Sequence, residues 1–253
     1  MPLISIAGGA LFAERLGSGP PRVLALHGWG RRGADLVPAL TGLDAICLDL
    51  PGFGASPPPP APVGAAGYAD AIGPVFDLFN SPPVVVGHSF GGRVAVARQH
   101  GWPGSTAGLV LVGSPLVRRS DAVRRRPPLA FRAARLANRW GLISEDAMER
   151  RRRRHGSADY RAATGVMRDI LVMAVNESYE KELADLGIPV KLLWGENDTE
   201  VPVSVAEAAA DLIRRGGAEV ELEVLAGVGH HVPLAAPDRL REAVERMLAQ
   251  VGR

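Results

Sequence analysis

Short apolar runs recur along the chain, and most of them end at a glycine, a serine or an acidic residue. Two of these runs, 3–6 and 10–16, flank Gly8-Gly9 and predict an antiparallel hairpin. The later runs are almost continuously apolar, as strands buried on both faces of a parallel sheet are. They cover residues 22–28, 45–52, 83–89, 108–114, 190–196 and 220–227.

Amphipathic stretches lie between these runs and predict helices. They cover residues 67–79, 91–102, 204–215 and 237–250. In the last stretch, apolar residues at helical spacing form one face, and Pro237 stands near the start, where proline is tolerated. Alternating strands and helices predict an α/β domain with a mostly parallel sheet.

The alternation stops between residues 118 and 186, which contain helix formers and scattered large apolar residues but no good strand. This segment holds 16 basic and 10 acidic residues, whereas the remainder of the chain holds 13 and 17. The shift in composition predicts an inserted helical cap at 118–186 and a core domain formed by 1–117 and 187–253.

The run Arg150–Arg154 allows three interpretations. A nucleic-acid surface is disfavoured because no aromatic residues are interleaved and acidic residues lie close by. A solvated helix face is favoured, and contact with an anionic group of a substrate is the third hypothesis.

The composition limits the disulfide and metal chemistry that the chain can support. The chain has 253 residues, is 47% hydrophobic, and has a single cysteine, Cys47, in an apolar run. An intrachain disulfide and a cysteine metal site are therefore excluded, and a buried, inert thiol is expected.

The N-terminal residues resemble no signal peptide, and no apolar run reaches the roughly 18–20 residues of a membrane span. We therefore expect a cytoplasmic protein, a monomer or homodimer, without a membrane or nucleic-acid partner.

Ser89 is the first candidate for chemistry. It lies between Gly87 and Gly91 where an apolar strand becomes a helix, which is the sequence context of a nucleophile elbow. The glycines would allow the strand and helix backbones to approach, and the helix N-terminus would favour negative charge near the hydroxyl.

A nucleophilic serine needs a base, and the base needs an orienting acid. His230 follows the last predicted strand directly after a glycine turn, so we expect it to be the base, with His231 as a wall of the pocket. Asp198 is the preferred acid in the preceding loop, and Glu196 and Glu200 are expected to be solvated. Asp49 precedes the serine in the chain and is expected to accept backbone N–H bonds in a turn.

An oxyanion hole would complete the site. The backbone N–H groups of Trp29, in a glycine-flanked turn, and of Phe90, which follows the serine, are the expected donors. The Trp29 indole either lines the pocket or packs in the core.

Five stretches in order, "HGWG", "DLPGFGAS", "GHSFGG", "GENDTEVP" and "GVGHHVPLAAP", resemble the serine hydrolases of the α/β-hydrolase fold superfamily. The resemblance covers roughly 1–117 and 187–253. It implies a sheet of about eight strands, flanked by helices, with a helical cap inserted after the sixth. It also implies Ser89 as nucleophile, His230 as base and Asp198 as acid. Ala235 stands where family members often carry a glutamate, which lies outside the triad.

The expected activity is hydrolysis of a small-molecule carboxylic ester through an acyl-enzyme, without a metal or cofactor, and an anionic ester is one option for the substrate. A C–C bond hydrolase, a haloperoxidase-type perhydrolase and an acyltransferase remain alternatives on the same triad, and a ligand receptor or scaffold is the non-enzymatic alternative. Cap side chains are expected to shape the pocket with Trp29 and His231; the candidates are Trp140, Met148, Tyr160, Met167 and Met173.

Overall fold

The computed structural model describes residues 3–118, 140, 144 and 158–252. The predicted Arg150–Arg154 run and the pocket candidate Met148 lie outside the described residues.

The chain forms one eight-stranded sheet whose strand order is β1-β2-β4-β3-β5-β6-β7-β8. The strands are β1 (Leu3–Ile6), β2 (Leu11–Leu16), β3 (Val23–Leu26), β4 (Ala45–Asp49), β5 (Val84–His88), β6 (Gly108–Val112), β7 (Val190–Gly195) and β8 (Val220–Leu225). Only the β1–β2 and β2–β4 pairs are antiparallel, and the other five pairs are parallel. The predicted eight-stranded, mostly parallel sheet is confirmed.

Helices surround the sheet. They are α1 (Val37–Leu40), α2 (Ala65–Ala71), α3 (Phe90–Gly101), α4 (Ala158–Ala162), α5 (Gly165–Ala174), α6 (Glu180–Ala184), α7 (Val203–Arg215), α8 (Val232–Ala235) and α9 (Pro237–Val251). Short 3₁₀ turns occupy Ala7–Gly9, Gly33–Leu36 and Gly73–Leu78. The helix predicted over 67–79 is therefore wrong in part. It ends at Ala71 because Pro74 disfavours helical backbone at Gly73 and lacks an N–H to donate.

The continuously apolar strands arise because both faces of the sheet are covered. On β3, Leu24 and Leu26 belong to one core cluster, while Val23 and Ala25 belong to the other. Residues of α2, α3 and α7 pack in the first cluster, and residues of α1 and α9 pack in the second. Cys47 is fully buried, as predicted, and burial raises the pKa of its thiol to about 12, which disfavours the reactive thiolate.

The segment between β6 and β7 contains α4, α5 and α6, and its described part packs against the first core cluster. The Arg93 side chain of α3 donates hydrogen bonds to the carbonyl oxygens of Pro115 (2.8 Å) and Ala174. The Glu177 carboxylate accepts the Ala65 backbone N–H at the start of α2, at 3.2 Å. These bonds connect the chain after β6 and around the end of α5 to the helices α3 and α2. The domain limits at 117/118 and 186/187 stay a prediction.

Among the described residues, no helix combines the length and the apolar character that crossing a bilayer requires.

Candidate active site

Ser89 occupies the turn between β5 and α3. Its backbone has φ 51° and ψ −112°, a conformation that residues other than glycine rarely adopt. Such backbone strain costs about 1–3 kcal/mol and persists only when the surrounding structure holds it. Here the Ser89 N–H donates to the Val112 carbonyl at 2.8 Å, at the end of the neighbouring strand β6.

The glycines around Ser89 are required by close backbone approach, as the sequence predicted. A Cβ atom on Gly91 would lie 2.2 Å from the carbonyl oxygen of Leu26, at the end of β3. A Cβ atom on Gly87 would lie 2.5 Å from the Cα atom of Gly92. The start of α3 therefore sits directly against the strands β3 and β5, which holds Ser89 at the carboxyl edge of the sheet.

His230 and Asp198 form a buried pair at the same edge. His230 follows β8 and Asp198 follows β7, and the His230 Nδ1–H donates to Asp198 Oδ2 at 2.7 Å. The other carboxylate oxygen, Oδ1, accepts the backbone N–H groups of Glu200 (3.0 Å) and Val201 (2.8 Å). Because Nδ1 is engaged as a donor, Nε2 is the nitrogen that is free to accept a proton.

Two opposing effects act on His230. Burial lowers the pKa of its imidazole, but the hydrogen bond and the charge of Asp198, with the charges of Glu200 and Asp159, outweigh burial and raise the pKa above its usual range. The raised pKa suits a group that gains a proton when it acts as a base.

His88 connects the serine turn to the His230 loop. Its Nε2–H donates to the His230 carbonyl oxygen at 3.1 Å, and the two ring centroids are 5.0 Å apart. Burial and the neighbouring His230 lower the pKa of His88 to about 3, so its ring is neutral at pH 7. Sequence reasoning missed this contact because it joins residues 142 positions apart.

His27 directly follows β3, and its imidazole is also fixed by hydrogen bonds. Its Nδ1–H donates to the Gly28 carbonyl at 2.7 Å, and its Nε2 accepts the Leu50 N–H at 3.0 Å. Burial lowers the pKa of His27 to about 4. The neutral ring thereby holds the turn that leads to Trp29.

Trp29 and Phe90 meet beside the serine. Their rings are perpendicular, with centroids 5.4 Å apart, and Trp29 also packs edge-on against Phe53 at 5.0 Å. Phe90 packs on Tyr68 at 5.0 Å. Within the described part of the chain, neither the Trp29 nor the Phe90 backbone N–H has a hydrogen-bond acceptor. The role of these two amides as an oxyanion hole stays a prediction.

The other carboxylates considered as the acid take different positions. Asp49 accepts the N–H groups of Gly33 and Ala55, both at 2.8 Å, as predicted for a turn residue. Glu196 is exposed and accepts the Gly227 N–H at 3.0 Å. The Glu200 side chain is 61% exposed, yet its Oε2 lies 3.7 Å from His230 Nε2. Sequence reasoning missed this contact, since the spacing from Asp198 gives no side-chain direction.

The predicted pocket residues are spread over several environments. Met167 lies near the catalytic edge: its Sδ is 4.0 Å from the Tyr68 hydroxyl and would be 2.3 Å from a Cβ on Gly52. The Tyr160 ring lies under the Arg168 guanidinium, 5.4 Å away. Met173 and Trp140 are 41% and 74% exposed.

The exposed His231 ring lies 5.4 Å from the His230 ring and 6.0 Å from the His88 ring. It therefore lies beside the predicted base, and it lines a small pocket with His27, Arg31 and His88. The roles of all the predicted pocket residues remain predictions.

An eight-stranded, mostly parallel sheet with a serine in a strained strand-to-helix turn is the architecture of alpha/beta hydrolases. Residues 23–243 match the model of the alpha/beta hydrolase family. The chain therefore belongs to this family and is a hydrolase, so the predicted resemblance is confirmed.

Individual proteins agree with this assignment. The chain is 29% identical, over 80% of its length and 85% of the relative's, to a pimeloyl-[acyl-carrier protein] methyl ester esterase of Methylococcus capsulatus. It is 30% identical, over 94% of its length and 97% of the relative's, to lipase LipV of Mycobacterium tuberculosis. The solved structure of a thermophilic esterase aligns with a TM-score of 0.72 and 24% identity, covering 99% of this chain and 98% of that one.

Proposed function

We propose that this protein is a serine esterase that hydrolyses carboxylic esters of small molecules through an acyl-enzyme intermediate. The observation that carries the proposal is the arrangement at the carboxyl edge of the sheet. A serine is held in a strained turn, and the His88 bond joins that turn to the buried imidazole–carboxylate pair. The relatives named as an esterase and a lipase support the reaction class.

The first step is attack of the Ser89 oxygen on the ester carbonyl carbon. The hydroxyl proton passes to His230 Nε2, while Asp198 stabilises the imidazolium through the Nδ1–H bond of 2.7 Å. The negative charge that develops on the carbonyl oxygen is stabilised by the free N–H groups of Trp29 and Phe90 and by the start of α3.

The second step releases the alcohol and then the acid. The tetrahedral intermediate collapses, the C–O bond to the alcohol breaks, and His230 Nε2–H protonates the leaving oxygen. A water molecule then attacks the acyl-enzyme, gives its proton to Nε2, and the acid leaves as Ser89 regains its proton. Asp198 keeps the proton on Nδ1 throughout.

The acyl portion of the substrate is proposed to lie against the aromatic layer beside the serine. Trp29, Phe53, Phe90 and Tyr68 pack edge-to-face there, and Met167 closes the layer from the inserted segment. Trp29 and Phe53 are half-buried and offer apolar surface, with Phe90 and Tyr68 buried behind them, so an uncharged acyl chain fits better than a polar one.

A panel of p-nitrophenyl esters of increasing acyl length tests the proposal. We expect hydrolysis by the wild-type chain and its loss, at unchanged thermal stability, in Ser89→Ala. Wild-type rates in a folded Ser89→Ala variant would refute the assignment of the nucleophile.

A further inference from the structure

Glu200 is fixed close to the catalytic edge by the acid that precedes it. Asp198 Oδ1 holds the backbone N–H of Glu200 at 3.0 Å, so the backbone of this residue is part of the turn that positions the acid. From there the carboxylate reaches towards His230, and Oε2 lies 3.7 Å from Nε2. The side chain is nevertheless 61% exposed, so the carboxylate stands at the open mouth of the site.

The nitrogen that Glu200 approaches is the one that handles the leaving group. Nδ1 of His230 is occupied by Asp198, and Nε2 delivers the proton to the alcohol oxygen when the ester bond breaks. A carboxylate beside Nε2 therefore stands beside the alcohol portion of the bound ester.

The other groups facing His230 do not offset this charge. Asp198 after β7 and Asp159 of α4 act on the ring with the same sign as Glu200. The two neighbouring imidazoles are His88, which is neutral at pH 7, and the exposed His231. Arg31 lines a small pocket with His88 and His231, and its charge acts on His88. Among the described residues, the charges that act most strongly on His230, those of Asp198, Glu200 and Asp159, are all negative.

We propose that Glu200 is a specificity-determining residue that makes the site prefer esters with a cationic or neutral alcohol portion over esters with an anionic one. This inference rests on the proposed esterase function and names the substrate class of the same site. It opposes the hypothesis that arginines of the inserted segment recruit an anionic substrate. The exposed position limits the effect to about two- to fivefold in kcat/KM for each unit of substrate charge, and added salt reduces it.

Three acetate esters with alcohol portions of similar size test the proposal: choline (cationic), 3,3-dimethylbutyl (neutral) and 2-sulfoethyl (anionic). For the wild-type chain, we expect kcat/KM to fall in that order. In Glu200→Gln the cationic-to-anionic ratio should shrink, and in Glu200→Lys it should invert. Glu207→Gln is the matched control, since Glu207 is an exposed glutamate of α7 that is absent from the groups acting on His230.

The pH profile with the neutral ester provides a second readout that a merely structural role would not change. The base must be neutral to act, and Glu200 favours its charged form. Removing that carboxylate in Glu200→Gln should therefore move the acid limb of kcat/KM to lower pH, while Glu207→Gln leaves it in place.

The outcomes separate the two proposals. Ser89-dependent hydrolysis with the same charge preference in wild type and Glu200→Gln would overturn the role of Glu200 alone. A wild-type preference for the 2-sulfoethyl ester would also overturn it and would favour the arginine hypothesis. Hydrolysis that persists in Ser89→Ala would overturn the esterase mechanism and, with it, the inference built on that mechanism.

Discussion

Replacing Asp198 by asparagine is expected to abolish most of the activity while leaving the fold intact. The structure explains why these two effects separate. One carboxylate oxygen, Oδ1, accepts the backbone N–H groups of Glu200 and Val201 in the loop. The other, Oδ2, accepts the Nδ1–H of His230. An asparagine keeps the first function through its carbonyl oxygen. Its NH₂ group, however, donates to Nδ1 and so forces the imidazole proton onto Nε2, where the base must be free.

The size of each effect follows from these contacts. An imidazole held in the wrong tautomer is expected to lower kcat by about 10⁴-fold. The stability should change by less than about 1 kcal/mol, because both loop bonds remain. In Asp198→Ala the buried Val201 N–H loses its acceptor, which should lower the free energy of unfolding by about 1–3 kcal/mol.

The assay combines kcat for a p-nitrophenyl ester with urea denaturation of the same preparations. Glu196→Gln is the matched control, because this exposed glutamate lies in the same loop but binds only the Gly227 N–H. The account predicts near wild-type turnover for Glu196→Gln. Comparable losses in Glu196→Gln and Asp198→Asn, or an Asp198→Asn variant within tenfold of wild type, would refute the assignment of the acid.

Two further predictions concern stability. The pKa of His27 falls from 6.5 to about 4 on folding, so the unfolded chain binds more protons between these values, and stability is lost as the pH falls from about 6.5 towards 4. The His27 contribution should reach about 3 kcal/mol at pH 4, and the pH dependence of His27→Gln, measured by urea denaturation, should be shallower by that amount while the contribution of the buried His88 remains; equal slopes in both proteins would contradict this. Gly91→Ala should cost about 1–3 kcal/mol because its Cβ would meet the backbone of β3, whereas Gly101→Ala in the same helix, whose Cβ meets nothing within 4 Å, should not be destabilising. Equal thermal midpoints for the two alanine variants would argue against the close approach at Gly91.

The sheet could be predicted from the sequence because its strands are covered on both faces. A short, continuously apolar run such as that of β5 is typical of a strand buried on both faces of a sheet. Because these runs alternate with helices along the chain, they predict a mostly parallel sheet. The helix beginning at Ala65 was harder to predict. Its apolar pattern continues past Ile72, and only the proline at position 74 changes the last part into a 3₁₀ turn.

The candidate site could be predicted in part for a related reason. Loops that follow parallel strands meet at one edge, so Ser89, Asp198 and His230 could be brought together without knowledge of side-chain directions. The contacts of His88 and Glu200 with His230 could not be predicted in this way. The first depends on how the turn after β5 presents a ring to the loop after β8, and the second on the loop conformation that Asp198 imposes through backbone bonds.

The central claim, that Ser89 is an activated nucleophile, is tested most directly by covalent labelling with a fluorophosphonate followed by peptide mass spectrometry. The account predicts a single adduct on Ser89 in the folded wild-type chain, a much slower reaction in Asp198→Asn, and no adduct in Ser89→Ala. A folded wild-type chain that stays unlabelled, or an adduct at another residue that persists in Ser89→Ala, would contradict it.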